Sequence, residues 1–197
     1  MKTSDITVEM LREACARKDY LFFEKGNFNM NIIGIRTEDN AANTFNDVIC
    51  FAYKQSGRWV LFTLDGTTDP GLFWRLNPMN ALGTAVLVPG QYLGAYTLGL
   101  HKGKYPAFIQ SKALPVYRDA DQDGFVDTDG EIDLGWHGIN IHPRSESSTS
   151  DEIGKWSAGC QVPEHYYEHM MCYYAAKHAE TLYGTRFSYT LLEEKDL

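Results

Sequence analysis

Between Tyr20 and Gln110 the chain is a series of short stretches rich in β-branched and aromatic residues, each closed by residues that turn a backbone. Asn31 to Ile35, Val48 to Tyr53, Trp59 to Leu64 and Ala85 to Val88 are the stretches, and Ser56-Gly57, Asp65-Gly66, Asp69-Pro70-Gly71 and Pro89-Gly90 are among the breaks. Runs of four to six such residues have the length of strands and are too short for helices. A chain patterned this way is constrained to a mainly β sheet or sandwich. Its 197 residues suffice for one domain with a sizeable core.

Helices are expected only at the flanks. Ser4 or Asp5 caps a first helix running to about Lys18, with Val8, Leu11 and Cys15 inward and Glu9 and Glu13 outward. Pro163 at a first turn and Gly184 past the end bracket another, whose apolar stripe is Tyr167, Met171, Tyr174 and Leu182. Gly138 to His142 alternates, placing Ile139 and Ile141 on one face and Asn140 and His142 on the other. Thr185 to Leu192 alternates as an antiparallel strand does, and Pro143 to Lys155 reads as a long exposed loop.

Eighteen Lys and Arg against 26 Asp and Glu leave a formal charge of −8, and no basic cluster interrupts it. Nucleic acid and anionic membrane are excluded as expected partners. No apolar run approaches the ~20 residues of a membrane span, and Met1 to Met10 has no apolar signal region. The expectation is a chain made in the cytoplasm without a Sec-type address. Cys15, Cys50, Cys160 and Cys172 are irregularly spaced and form no CxxC pair, so neither a disulfide framework nor a zinc site is expected.

Cys160 alone has neighbours that argue for reactivity. A cysteine nucleophile needs a base, backbone donors for an oxyanion and access to solvent. Gly159 leaves the backbone open, the N–H groups of Gly159 and Cys160 are the candidate donors, and His142 lies eighteen positions earlier across the loop. If the loop folds back, His142 and Cys160 meet.

His142, fourteen intervening residues and Ser157-Ala158-Gly159-Cys160 resemble the signature of the L,D-transpeptidase (YkuD-like) catalytic domains, in which a strand-end histidine precedes Ser/Thr-His-Gly-Cys. Pro89-Gly90-Gln91-Tyr92 is similar to the turn and strand before the site in that family. The resemblance covers roughly residues 58 to 192. It implies a β-sandwich-like fold, Cys160 as nucleophile, His142 as base, and Gly159 and Ser157 in the oxyanion motif. With the N-terminal helix and the helix after the cysteine read above from the residues, the expected fold is a mainly β sandwich with flanking helices, and residues 1–55 have no counterpart in the resemblance. The implied reaction is attack on the carbonyl of a peptidoglycan stem-peptide bond between an L-centre and a D-residue, followed by transfer to an amine or to water. Peptidoglycan or muropeptides are then the partners, and the cell wall or periplasm the place of action. A phage-encoded lysis or virion protein fits the same reading. Two positions depart from the pattern: Ala158 stands at the second motif histidine, and Val162 where Asn or Arg is usual.

His137, in Trp136-His137-Gly138, is a rival base and a cleft residue, and Tyr92 and Trp156 are further cleft candidates. Trp156 either rims a cleft or covers the core. Asn140, two residues from His142, is a candidate orienter of the imidazole. Residues 1–55 form an N-terminal extension packed on the core or a small binding subdomain, and 56–197 the L,D-transpeptidase-like domain.

Catalysis of this kind requires no cofactor, but a structural calcium ion is one reading of Asp119 to Gly130. Asp119, Asp121, Asp123 and Asp127, with Gly124 in sixth place, match the first nine positions of a calcium loop of the EF-hand type. The twelfth position is Gly130 and the flanks are strand-like, so the other reading is a solvated acidic turn. Against the enzyme stand a non-catalytic cell-wall or glycan-binding module on the same fold and a Cys/His amidase or peptidase on an unrelated one.

Overall fold

The computed structural model describes residues 2–41, 43–147 and 150–197. The chain is mainly β. A 3₁₀ turn at Thr3–Asp5 leads to helix α1 (Val8–Arg17), capped by Thr7, whose Oγ1 accepts from Met10 N–H at 3.2 Å. Ser4 and Asp5, the expected caps, lie in the preceding turn, one tight turn too early.

Strands β1 (Asn31–Arg36), β2 (Asp47–Gln55) and β3 (Arg58–Thr67) follow, then the short helix α2 (Leu72–Leu76). Next come β4 (Thr84–Leu87), β5 (Gly90–His101), β6 (Tyr105–Gln110), β7 (Leu114–Asp119) and β8 (Asp133–Gly135). The chain ends with β9 (Val162–Pro163), α3 (Tyr166–Tyr183), β10 (Phe187–Glu193) and a 3₁₀ turn. One sheet has seven strands in the order β6-β5-β10-β1-β2-β3-β9, the other three in the order β4-β7-β8.

Ser56 and Gly57 both take positive φ, 51° and 76°, which makes the two-residue turn that matches strand twist and pairs Gln55 with Arg58. The expected boundary after residue 55 therefore falls at a hairpin tip, and β2 and β3 pair along their length within one sheet. Strand β1 is buried at every residue because the sheet is covered on both faces. Ile33, Ile35, Val48 and Cys50 pack with Leu11, Ala14 and Cys15 of α1. On the other face Ile32, Ile49, Phe51 and Leu64 pack with Leu87 and Val116 of the small sheet and Cys172, Ala176 and Ala179 of α3.

Three expectations are corrected. Strand β10 is antiparallel to β5 but parallel to β1, with Ile32 opposite Tyr189. Pro163 does not open a helix: it ends β9, paired with Gly66, and α3 starts three residues on, closing at Gly184. The buried face of α3 is His169, Cys172, Ala176 and Ala179, whereas Tyr167, Met171, Tyr174 and Leu182 are exposed. All four cysteines are free and buried. No helix among the described residues is long and apolar enough to cross a membrane.

Candidate active site

The segment Gly138 to His142 is extended and forms single bridges instead of a regular strand. Ile141 exchanges backbone hydrogen bonds of 2.9 Å with Phe108 on one side and pairs in parallel with Gln161 on the other. His142 N–H donates to Gln161 O at 3.1 Å and Gln161 N–H to Asn140 O at 2.9 Å. These bonds bring His142 beside Cys160, so the loop between them does fold back. Its ends are tied down. Buried Arg144 donates to Glu164 O at 2.7 Å, pairs with the Glu164 carboxylate at 3.1 Å and donates to Ser150 O, while Ile153 N–H donates to Asn43 O at 2.9 Å. Pro143, Arg144 and Ile153 are buried, so the expected exposure holds only for the middle of the loop; Ser148 and Thr149 lie outside the described residues.

The alternation places Ile139 and Ile141 in the core and turns the Asn140 side chain to His101 and Gln110 and that of His142 to the cysteine. His142 Nδ1 is 2.9 Å from Pro143 O. A carbonyl only accepts, so Nδ1 carries the proton and Nε2 holds the lone pair. That Nε2 is buried and has no hydrogen-bond partner among the described residues. Donor atoms of His142, Cys160 and His101 lie within 4.8 Å of one another. The same three atoms are spaced to hold a metal ion. His101, the last residue of β5, stacks on His142 with centroids 3.9 Å apart and rings inclined by 16°. Asn140 Nδ2 donates to His101 Nδ1 at 3.0 Å, so Asn140 orients His101, and the Pro143 carbonyl orients His142.

Burial governs the protonation states. It lowers His142 to about 3, helped by His101, and lowers His101 to about 4. It pushes the Cys160 thiol up to about 11 against the opposing pull of the Asn140 backbone N–H and the Lys102 charge. The resting pair is a neutral imidazole and a thiol, and Sγ donates to Gly138 O at 3.3 Å. Cys160 is only 8% exposed, less open than the chemistry of a nucleophile led us to expect.

Ser157 organises the turn before the cysteine: buried, it donates to Cys160 O at 2.7 Å and accepts from Gly159 N–H at 3.2 Å. The Gly159 N–H is thus engaged within the turn. Gly159 itself has φ +119°, and a Cβ there would lie 2.4 Å from Ala85 O. Its bare side admits the β4 backbone, not a substrate. Two hollows border this turn. One, of about 260 Å³, is lined by His101, Lys102, Tyr105, His142, Lys155 and Trp156; the other, of about 270 Å³, by residues including Ala158, Ala85, Arg118, Trp136 and His137.

Trp156 therefore rims the hollow onto which His142 opens, against Tyr105 at a ring distance of 6.3 Å. His137 cannot serve as base, because Nδ1 accepts from Arg118 at 3.1 Å and Nε2 donates to Asp133 O at 3.0 Å. Tyr92 is not at the site: its hydroxyl donates to Val88 O and its ring packs on the core.

No family model, curated protein or solved structure matches this chain. The geometry stands alone. It offers a thiol, a neutral imidazole with its lone pair free, and a partly enclosed cleft with two lysines on its rim. Sequence reasoning missed His101 and Arg144, since a histidine before a Lys-Gly turn and an arginine inside a polar loop carry no local sign of what they will meet.

The acidic loop joins β7 to β8, so it is flanked by strands as expected. Carboxylate oxygens of Asp119, Asp121 and Asp127 converge within 4.8 Å. Asp123 is not in this group; its Oδ1 accepts from Phe125 N–H at 2.8 Å, as Asp121 Oδ1 accepts from Asp123 N–H at 3.1 Å, and both bonds fix the turn.

Proposed function

We propose that the protein is a cysteine acyl-transfer enzyme of the L,D-transpeptidase type, acting on peptidoglycan stem peptides from a sandwich of that family's kind. The observation that carries this reading is the unpartnered Nε2 of His142 next to Cys160, with Nδ1 locked on Pro143 O. As Sγ attacks the carbonyl carbon, Nε2 takes the thiol proton and becomes imidazolium. The Cys160 N–H is the remaining donor of the expected oxyanion pair, since that of Gly159 is bound to Ser157. Collapse of the tetrahedral intermediate breaks the C–N bond, His142 returns its proton to the departing amine, and a thioester is left on Cys160. Water or an acceptor amine then releases the acyl group, giving hydrolysis or cross-linking.

Val162 is fully buried and paired with Thr67, so it takes no part in binding a substrate carboxylate. Lys102 and Lys155, on the rim of the His142 hollow, supply positive charge for that purpose. The second reading, a wall- or glycan-binding module, draws on the burial of Cys160 and its raised thiol.

The deciding experiment incubates wild type and Cys160→Ala with purified peptidoglycan and soluble muropeptides, with mass spectrometry of products and intact protein. Loss or exchange of a terminal D-residue, or an acyl adduct absent from the variant, is expected. If no muropeptide changes while both proteins sediment with sacculi, the module replaces the enzyme.

A further inference from the structure

The loop between β7 and β8 carries a cluster that acyl transfer does not use. Asp119, the last residue of β7, is fully buried, and neither of its carboxylate oxygens has a hydrogen-bond partner among the described residues. Asp121 and Asp127 each bring a carboxylate oxygen to it, all within 4.8 Å. Burial, then the charges of Asp127 and Asp121, push Asp119 up to about 7 against the opposing pull of the Arg75 charge. Buried carboxylates are ordinarily met by hydrogen-bond donors; here, among the described residues, neither oxygen meets one and two further carboxylates converge on the same point. Arg75 braces the loop, its Nη1 donating to Asn40 O at 3.0 Å and Gly124 O at 2.6 Å. The loop is therefore held in a shape that concentrates negative charge on one point.

We propose that Asp119, Asp121 and Asp127 bind a calcium ion. Three carboxylates without sulfur or imidazole suit a hard cation. An irregular loop, turned at Gln122 (φ 62°) and Gly124 (φ 90°), suits the flexible six to eight oxygen ligands of calcium better than the strict octahedron of magnesium. The site departs from the EF-hand pattern in using a strand terminus as its first ligand and in dispensing with Asp123. Its structural effect reaches the cysteine turn. The ion ties down the end of β7, β7 pairs Arg118 with Ala85 of β4, and the Ala85 carbonyl is the surface on which Gly159 rests.

The test uses the full chain stripped with EGTA, titrated with CaCl2 in a calorimeter and melted with and without the ion. A single saturable site with Kd of about 10⁻³ M or tighter is expected, the range of extracellular calcium modules and stronger sites. At roughly ten times Kd the melting temperature should rise by about 3–6 °C. Asp119→Asn and Asp127→Asn should each weaken binding by roughly tenfold or more. Asp127 is only half-buried, so its variant carries the test if Asp119→Asn does not fold. Absence of saturable heat and of any melting shift, an equal shift with MgCl2, or an undiminished calcium response in Asp127→Asn overturns the proposal. None of these readouts depends on acyl transfer, so the calcium site and the enzyme stand or fall separately.

Discussion

Gly159 meets two demands that no other residue type meets together, a φ of +119° and an open side for the Ala85 carbonyl. Gly159→Ala should therefore destabilise the fold by roughly 2–4 kcal/mol, strained backbone and overpacked contact together. Urea denaturation measures it, and a loss under ~0.5 kcal/mol, the ordinary surface value, would mean that the turn relaxes freely. The thiols give a sharper residue-scale test. Burial raises Cys15 and Cys160 alike to about 11, so thiolate content alone does not separate them. Cys160 differs in having the unpartnered Nε2 of His142 at hand. Iodoacetamide should alkylate Cys160 well before Cys15, and His142→Gln should abolish the difference, as read by peptide mass spectrometry. Acylation by a muropeptide should fall in the same variant by roughly 10²–10⁴-fold, the usual contribution of a general base. Equal labelling of both thiols in wild type would remove His142 from the mechanism.

Helix α3 shows how an element can be right in kind and wrong in orientation. Its bulky stripe faces solvent, and the face against the sheet is built of small residues around Ala176, because Phe51, Phe108 and Phe187 fill the interface from the sheet side. Ala176→Leu should cost about 1–3 kcal/mol by overpacking. Tyr174→Ala, at a position 66% exposed, should change stability by no more than ~0.5 kcal/mol. Chemical denaturation of both decides the orientation, since a large loss in Tyr174→Ala alone would reverse it. The strands of the N-terminal half were legible because turn residues act locally: Ser56-Gly57 forces its hairpin whatever the rest of the chain does. The meeting of His142 and Cys160 was legible through the resemblance of their motif, on the condition that the loop between them folds back. The parallel register of β10 on β1, the packed face of α3 and the stacking of His101 were not, because each depends on partners dozens of residues away or more.

At the scale of the molecule, covering the large sheet on both faces buries three imidazoles along with the apolar core. Burial lowers His101 to about 4, His142 to about 3 and His169 to about 4. In the unfolded chain each titrates near 6.5. Between about pH 6.5 and 4 the unfolded state thus binds protons that the folded state refuses, and stability falls as pH falls. Burial of Asp69, raised to about 6, acts in the opposite sense, because there the folded state holds a proton that the unfolded state has lost. A difference measurement isolates one imidazole from these opposing groups. His169 is fully buried, donates from Nε2 to Pro106 O at 3.0 Å, and lies outside the cysteine cluster, so His169→Gln keeps a donor while removing the titration. Wild type should lose stability faster than this variant by about 1.4 kcal/mol per pH unit in the window from 6 to 4.5. Denaturation midpoints at a series of pH values measure both slopes. Parallel slopes would show that His169 takes up its proton without unfolding the chain, and that the core tolerates a charge at a fully buried position on α3.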